Sequence, residues 1–130
     1  MIYLSDIRDW LKTLIAADKY YIGKLDKKPE KAIGVYQRKP APPVGAIGQA
    51  SSYEVKPISI LIHWNKNADT TERTACELYK RLGAVDPLTL NGTPVKFISL
   101  LQSEPVDVGT DENGIFERVI EFDIYYERND

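Results

Sequence analysis

Phe116-Glu117-Arg118-Val119-Ile120-Glu121-Phe122-Asp123-Ile124-Tyr125-Tyr126 is the stretch whose reading decides the fold. One parity runs Phe116, Arg118, Ile120, Phe122, Ile124, Tyr126, and the other Glu117, Val119, Glu121, Asp123, Tyr125. Side chains alternate across a strand, so this period of two predicts one dry face toward a core and one acidic, wet face. The acidity belongs to a larger asymmetry. From Leu101 to Asp130 nine carboxylates oppose two arginines, whereas the first forty residues carry nine basic and five acidic side chains. A charge gradient of this kind suggests surfaces that meet something, copies of the same chain included.

Composition sets the outer limits. With 130 residues and 43% hydrophobic content, the chain is expected to form one domain, residues 1–130, with a core large enough to need no staples. The single cysteine, Cys76, excludes an internal disulfide and suits a reducing compartment. The longest apolar run, Ile58 to Trp64, is interrupted by Ser59 and His63, and a membrane span needs roughly 18 residues. The opening Met1-Ile2-Tyr3-Leu4-Ser5-Asp6 lacks the basic start of a secretory signal. A net charge of −2 argues against tight, charge-driven binding of nucleic acid by the whole monomer.

Upstream of the closing strand, Ile7, Trp10, Leu11, Leu14 and Ile15 repeat at helical spacing and predict a helix over about 5–17, with Ser5 as its N-cap. Two short strands, Tyr20–Leu25 and Lys31–Arg38, should follow, joined by the polar turn 26–30. From Lys39 to Ser52 the pattern stops, since Pro40, Pro42 and Pro43 oppose regular pairing while Gly45 and Gly48 add freedom. The apolar Ala41, Val44, Ala46 and Ile47 suit a purely solvated tether poorly, so this long flexible loop is the best candidate for a segment that orders against a partner. Val55 to Trp64 reads as a central strand. Asp69-Thr70-Thr71-Glu72 has the spacing of a capping box for a second helix whose apolar face is Ala75, Leu78, Tyr79 and Leu82. Leu88–Leu90 and Val95–Leu101 flank the tight-turn pair Asn91-Gly92, and Ser103–Gly114 reads as a polar connection. The expected fold is α+β, in the order α-β-β-β-α-β-β, with a mainly antiparallel sheet and two helices packed on one face.

Chemistry-bearing motifs are sparse. His63 is the only histidine, which excludes multi-histidine metal sites, and it reads as a structural or edge residue before it reads as a general base. Cys76 beside the apolar helix stripe reads as a small buried hydrophobe. The acidic run Asp107–Gly114 fails the calcium-loop template, because setting Gly114 at its sixth position puts Gly109 and Ile120 where acids are required. Gly45-Ala46-Ile47-Gly48 lacks both the basic surroundings of an RNA clamp and the Lys-Ser/Thr of a phosphate loop. The tyrosines lack an interleaved basic groove and read as strand packing or subunit contact rather than base stacking. Neither a cofactor nor a metal is expected.

Taken together, the helix with Trp10-Leu11, a β-hairpin through Ala32-Ile33-Gly34-Val35-Tyr36, the long loop, the Ile58–Trp64 strand, the capped helix to Leu82-Gly83 and the closing 117–126 strand resemble a known family. The chain resembles small head–tail connection proteins of tailed bacterial viruses, of the tail-terminator or minor capsid type, over nearly its full length. The resemblance implies a non-enzymatic virion or prophage protein, assembled in the host cytoplasm as a homo-oligomeric ring, commonly a hexamer. Such a ring caps the tail tube and meets a head-completion or neck protein. It implies that the loop bearing Lys39, Pro40, Pro42, Pro43, Val44 and Ile47 contacts a neighbouring subunit or the tube. It also implies that Glu117, Glu121 and Asp123 line a channel through which genome DNA passes without specific binding. No membrane partner is implied.

Two other readings stay open on the sequence. A small nucleic-acid-binding α+β module would show salt-sensitive binding that depends on Lys27, Lys28, Arg38 and Lys39. An enzyme using His63 would lose turnover in His63→Ala.

Overall fold

The computed structural model describes residues 1–24, 31–42, 53–84 and 87–127. Helix α1 spans Leu4–Leu14, followed by strands β1 (Lys19–Ile22), β2 (Ala32–Gln37) and β3 (Tyr53–His63). Helix α2 spans Ala68–Gly83, and β4 (Leu88–Leu90), β5 (Thr93–Leu100), β6 (Val106–Thr110) and β7 (Phe116–Glu127) complete the order. The strands form one sheet, β1-β2-β3-β7-β5-β4, with β6 pairing β7 beside β5. All pairings are antiparallel except that of β1 with β2. The expected α+β class, with a mainly antiparallel sheet and two helices, is therefore found, and β6 is the one strand that the sequence did not place.

Strand β7 occupies the middle of the sheet. Its whole length pairs β3, from Tyr53↔Glu127 to His63↔Glu117. Its other edge is shared between β5 over Phe122–Tyr126 and β6 over Phe116–Val119. The register puts Ile120 opposite Ile60 and Phe122 opposite Ile58, which aligns both dry faces. Ile58, Ile60, Ile62, Ile120, Phe122 and Ile124 are almost completely buried. A one-residue slip would expose Ile120, Phe122 and Ile124 and bury Glu121 and Asp123. At roughly 1.5–3 kcal/mol per buried aliphatic or aromatic side chain, that cost fixes the register.

Both helices cover this same dry face. Ile7, Trp10 and Leu11 of α1 and Ala75, Leu78 and Leu82 of α2 join the sheet residues in one hydrophobic core. The helix ends differ from expectation in detail. The N-cap of α1 is Tyr3 and not Ser5; the Asp6 carboxylate accepts the Tyr3 amide at 2.8 Å. Ile2 and Ile7, both fully buried, hold the positions of a hydrophobic staple. The cap of α2 is Asn67, whose side-chain oxygen accepts the Thr70 amide at 3.0 Å, two residues before the expected Asp69. Asp69 instead pairs with Arg73 one turn on. Cys76 is half-buried rather than buried.

Two expectations are corrected. The predicted β-hairpin is a parallel pair, Lys19↔Ala32 to Ile22↔Val35, continued by the Gly23 amide donating to the Val35 carbonyl at 2.8 Å. An alternating pattern is the same for either strand direction, so the sequence period could not choose between them. The predicted polar connection 103–114 contains β6. All five of its residues are exposed, so it carries no burial signal, and Asp107 and Gly109 lower its intrinsic strand preference. It pairs because β5 departs after Leu100 and leaves the first half of β7 with a free edge. The Asn91-Gly92 turn is as expected, with φ of 50° and 72° joining β4 to β5. No helix among the described residues is long and apolar enough to cross a membrane.

Candidate functional site

With both helices on one side, no helix among the described residues covers the second face of the sheet. Register places Val55, Ser59, Leu61 and His63 of β3 on it beside Glu117, Val119, Glu121, Asp123 and Tyr125 of β7. Glu117, Glu121 and Asp123 thus share one face, spaced along a single strand, and each is half-buried.

Each carboxylate has a local environment. Arg38, just past β2, forms an ion pair with Asp123 and donates to the carbonyls of Ile58 and Phe122, both at 3.2 Å. The Gln102 amide donates to Glu121 at 2.8 Å. Glu117 lies opposite His63 in the register, and burial, with the Asp111 carboxylate adding to it against the pull of His63, raises its carboxyl above the ordinary range. The acidic face is therefore partly compensated, by one arginine at Asp123 and one side-chain amide at Glu121.

His63 is 5% exposed, and its Nε2 lies 2.8 Å from an Asp111 carboxylate oxygen. The other Asp111 oxygen accepts the amides of Asn113 at 2.8 Å and Ile115 at 3.0 Å, which builds the β6–β7 turn. Partial burial pushes the Asp111 carboxyl up, but the Ile115 amide, the His63 ring and the Asn113 amide outweigh it and hold the group below the usual carboxylate range. This is a tie between the end of β3 and the turn before β7, and it leaves the imidazole little access to a substrate. Sequence spacing could not have paired residues 48 positions apart.

Apolar groups complete the face. Phe97 stacks on Tyr125 with ring centroids 4.3 Å apart, and Tyr53 lies 5.7 Å from Tyr125 on the other side. Phe97 is 54% exposed, and Leu101, Val106 and Val108 are also exposed. They follow the outer flank of β7, because Phe97 lies opposite Tyr125, Leu101 bonds Glu121 and Val106 lies opposite Val119. Sequence reasoning put Phe97 and Leu101 in a strand but missed the β6 part of this flank, whose signal was only a valine pair inside a segment read as polar.

Of the loop residues singled out, Lys39, Pro40 and Pro42 are exposed, while Pro43, Val44 and Ile47 lie outside the described residues. Ala41 and Pro42 meet Glu54, Val55, Asp123 and Tyr125 around a depression of about 390 Å³. The structure thus brings the start of the loop beside the Asp123 end of the acidic stripe. Glu117 sits at the opposite end of β7.

Fold and face together define an α+β protein with both helices on one side of the sheet and an acidic and apolar face on the other, among the described residues. The chain belongs to the bacteriophage tail terminator family, whose model matches residues 3–128. Among curated proteins, none matches the chain by sequence. Membership makes the protein a structural component of a virion.

Proposed function

We propose that the protein caps the phage tail tube and joins it to the head by assembling into a ring of identical subunits, six by resemblance to its family. The observation that carries this reading is the sheet face without helices, where exposed Phe97, Leu101, Val106 and Val108 flank the acidic stripe among the described residues. Exposed apolar side chains gathered along one flank of a sheet suit contact with protein. On this reading the partners are further copies, the tail tube protein and a head-completion or neck protein. Residues 39–52 form the subunit or tube contact, and their described start already borders the face. Glu117, Glu121 and Asp123 turn toward the DNA passage, where residual negative charge keeps phosphate from adhering. Assembly takes place in the host cytoplasm, and no catalysis is required.

Light scattering of the purified chain with and without tail tubes, followed by co-sedimentation, tests this reading. The expected result is a discrete oligomer that sediments with tubes, and particles that fail to form when residues 40–48 are deleted. A chain that stays monomeric with tubes present and never co-sediments would sink the proposal.

A further inference from the structure

Among the described residues three strands have one unpaired edge, β1, β4 and β6, and those of β1 and β6 differ in charge. Among the described residues β1 pairs only with β2, and β6 only with β7. The Lys19 amide donates to the Lys31 carbonyl just before β2, and the Gly23 amide just after β1 donates to the Val35 carbonyl, so the alternation of a parallel ladder turns the backbone groups of Tyr20 and Ile22 away from β2. Residues 18–24 carry Lys19 and Lys24 against the single acid Asp18, and all three are exposed. Residues 104–112 carry Glu104, Asp107, Asp111 and Glu112 and no base, and β6 between them is exposed throughout, with Val106 and Val108 outward.

Strand directions follow from the pairings. β1 runs with β2, β2 against β3, β3 against β7, and β7 against β6. A second copy placed head to tail, with its helices on the same side, therefore brings its β1 antiparallel to β6 of the first. That direction sets Lys24 at the Glu104 end of β6 and Lys19 at the Glu112 end. β4, the other outer strand on that side, offers only three residues, would meet β1 in parallel, and lies near the N-terminal ammonium, which binds Thr93.

We infer that β1 of one copy adds to β6 of the next, so that successive subunits share one continued sheet through Lys24–Glu104 and Lys19–Glu112 contacts. The inference rests on the self-assembly reading above and specifies its interface. The contact is heterologous, the kind that closes a ring when the rotation permits, and it uses strand addition, in which backbone bonds supply affinity and charge sets direction. The bulge between Asp107 and Gly109 limits the pairing to a few rungs, which keeps the free chain from uncontrolled edge-to-edge association.

Charge reversal with rescue tests it. All four charged side chains are exposed, so the fold, followed by far-UV circular dichroism, should be unchanged. Light scattering with tail tubes should show that Lys19→Glu with Lys24→Glu raises the concentration needed for assembly about tenfold or more. Adding Glu104→Lys and Glu112→Lys to the same chain should restore it. If the double variant assembles like wild type, or the fourfold variant stays as impaired as the double, the β1–β6 contact is wrong while ring assembly stands. A wild-type chain that never assembles overturns the self-assembly reading, and this contact with it.

Discussion

The Asp111 carboxylate bonds the His63 ring and two backbone amides, and its removal has a calculable cost. In Asp111→Ala the amides of Asn113 and Ile115 and the His63 ring lose their shared acceptor. The Asn113 amide is exposed and water replaces the carboxylate there. The Ile115 amide is partly buried and His63 is 5% exposed, so the loss falls mainly on these two. At about 1 kcal/mol or somewhat more for each buried polar group that loses a partner, the expected destabilisation is ~2–3 kcal/mol. Asp111→Asn keeps an oxygen for both amides and forfeits the charge, so about 1 kcal/mol is expected. With roughly 2.1 cal/mol/K of unfolding entropy per residue, a 130-residue chain loses ~4 °C of Tm per kcal/mol, or about 7–11 °C for the alanine variant.

The pH dependence follows in sign. Folding lowers the Asp111 carboxyl below its ordinary value of 3.8, so its contribution is complete above that value and disappears as pH falls through the folded one. Urea unfolding of wild type and Asp111→Asn at a series of pH values should therefore show curves that differ at pH 7 and converge in acid. An Asp111→Ala variant within about 0.5 kcal/mol of wild type at pH 7, a typical neutral surface change, refutes the argument, because it means water serves the turn and the histidine equally well.

Three further outcomes follow from the same structure. Phe122→Ala empties a fully buried site on the central strand and should cost about 3–5 kcal/mol in urea unfolding. Glu117→Gln should raise Tm at pH 7 slightly. The Glu117 carboxyl is raised by burial, so its charged form opposes folding above the ordinary pKa and the gain should vanish in acid. Gly92→Ala should lower stability by roughly 1 kcal/mol or more, since φ of 72° strains any residue with a Cβ; calorimetry reads it directly.

What the sequence alone determined is the part encoded by side-chain periodicity. The alternation in 116–126 established a strand with one dry face, and burial of Ile120, Phe122, Ile124 and Tyr126 bears it out. The 3.6-residue spacing placed both helices, and Asn91-Gly92 placed the turn between β4 and β5. These are local signals, in which each residue's type and offset carry the information. Resemblance in the order of elements identified the family. Tertiary structure decided whatever depends on the path of the backbone or on distant partners. The parallel sense of β1 with β2 was invisible, because direction leaves no trace in an alternating pattern. Strand β6 was missed, because it forms only where β5 leaves the edge of β7 unpaired. The acidic stripe shows the difference most clearly. Sequence put Glu117, Glu121 and Asp123 on one face, but only folding brought Arg38 to Asp123 and Gln102 to Glu121, turning a row of charges into a partly neutralised surface.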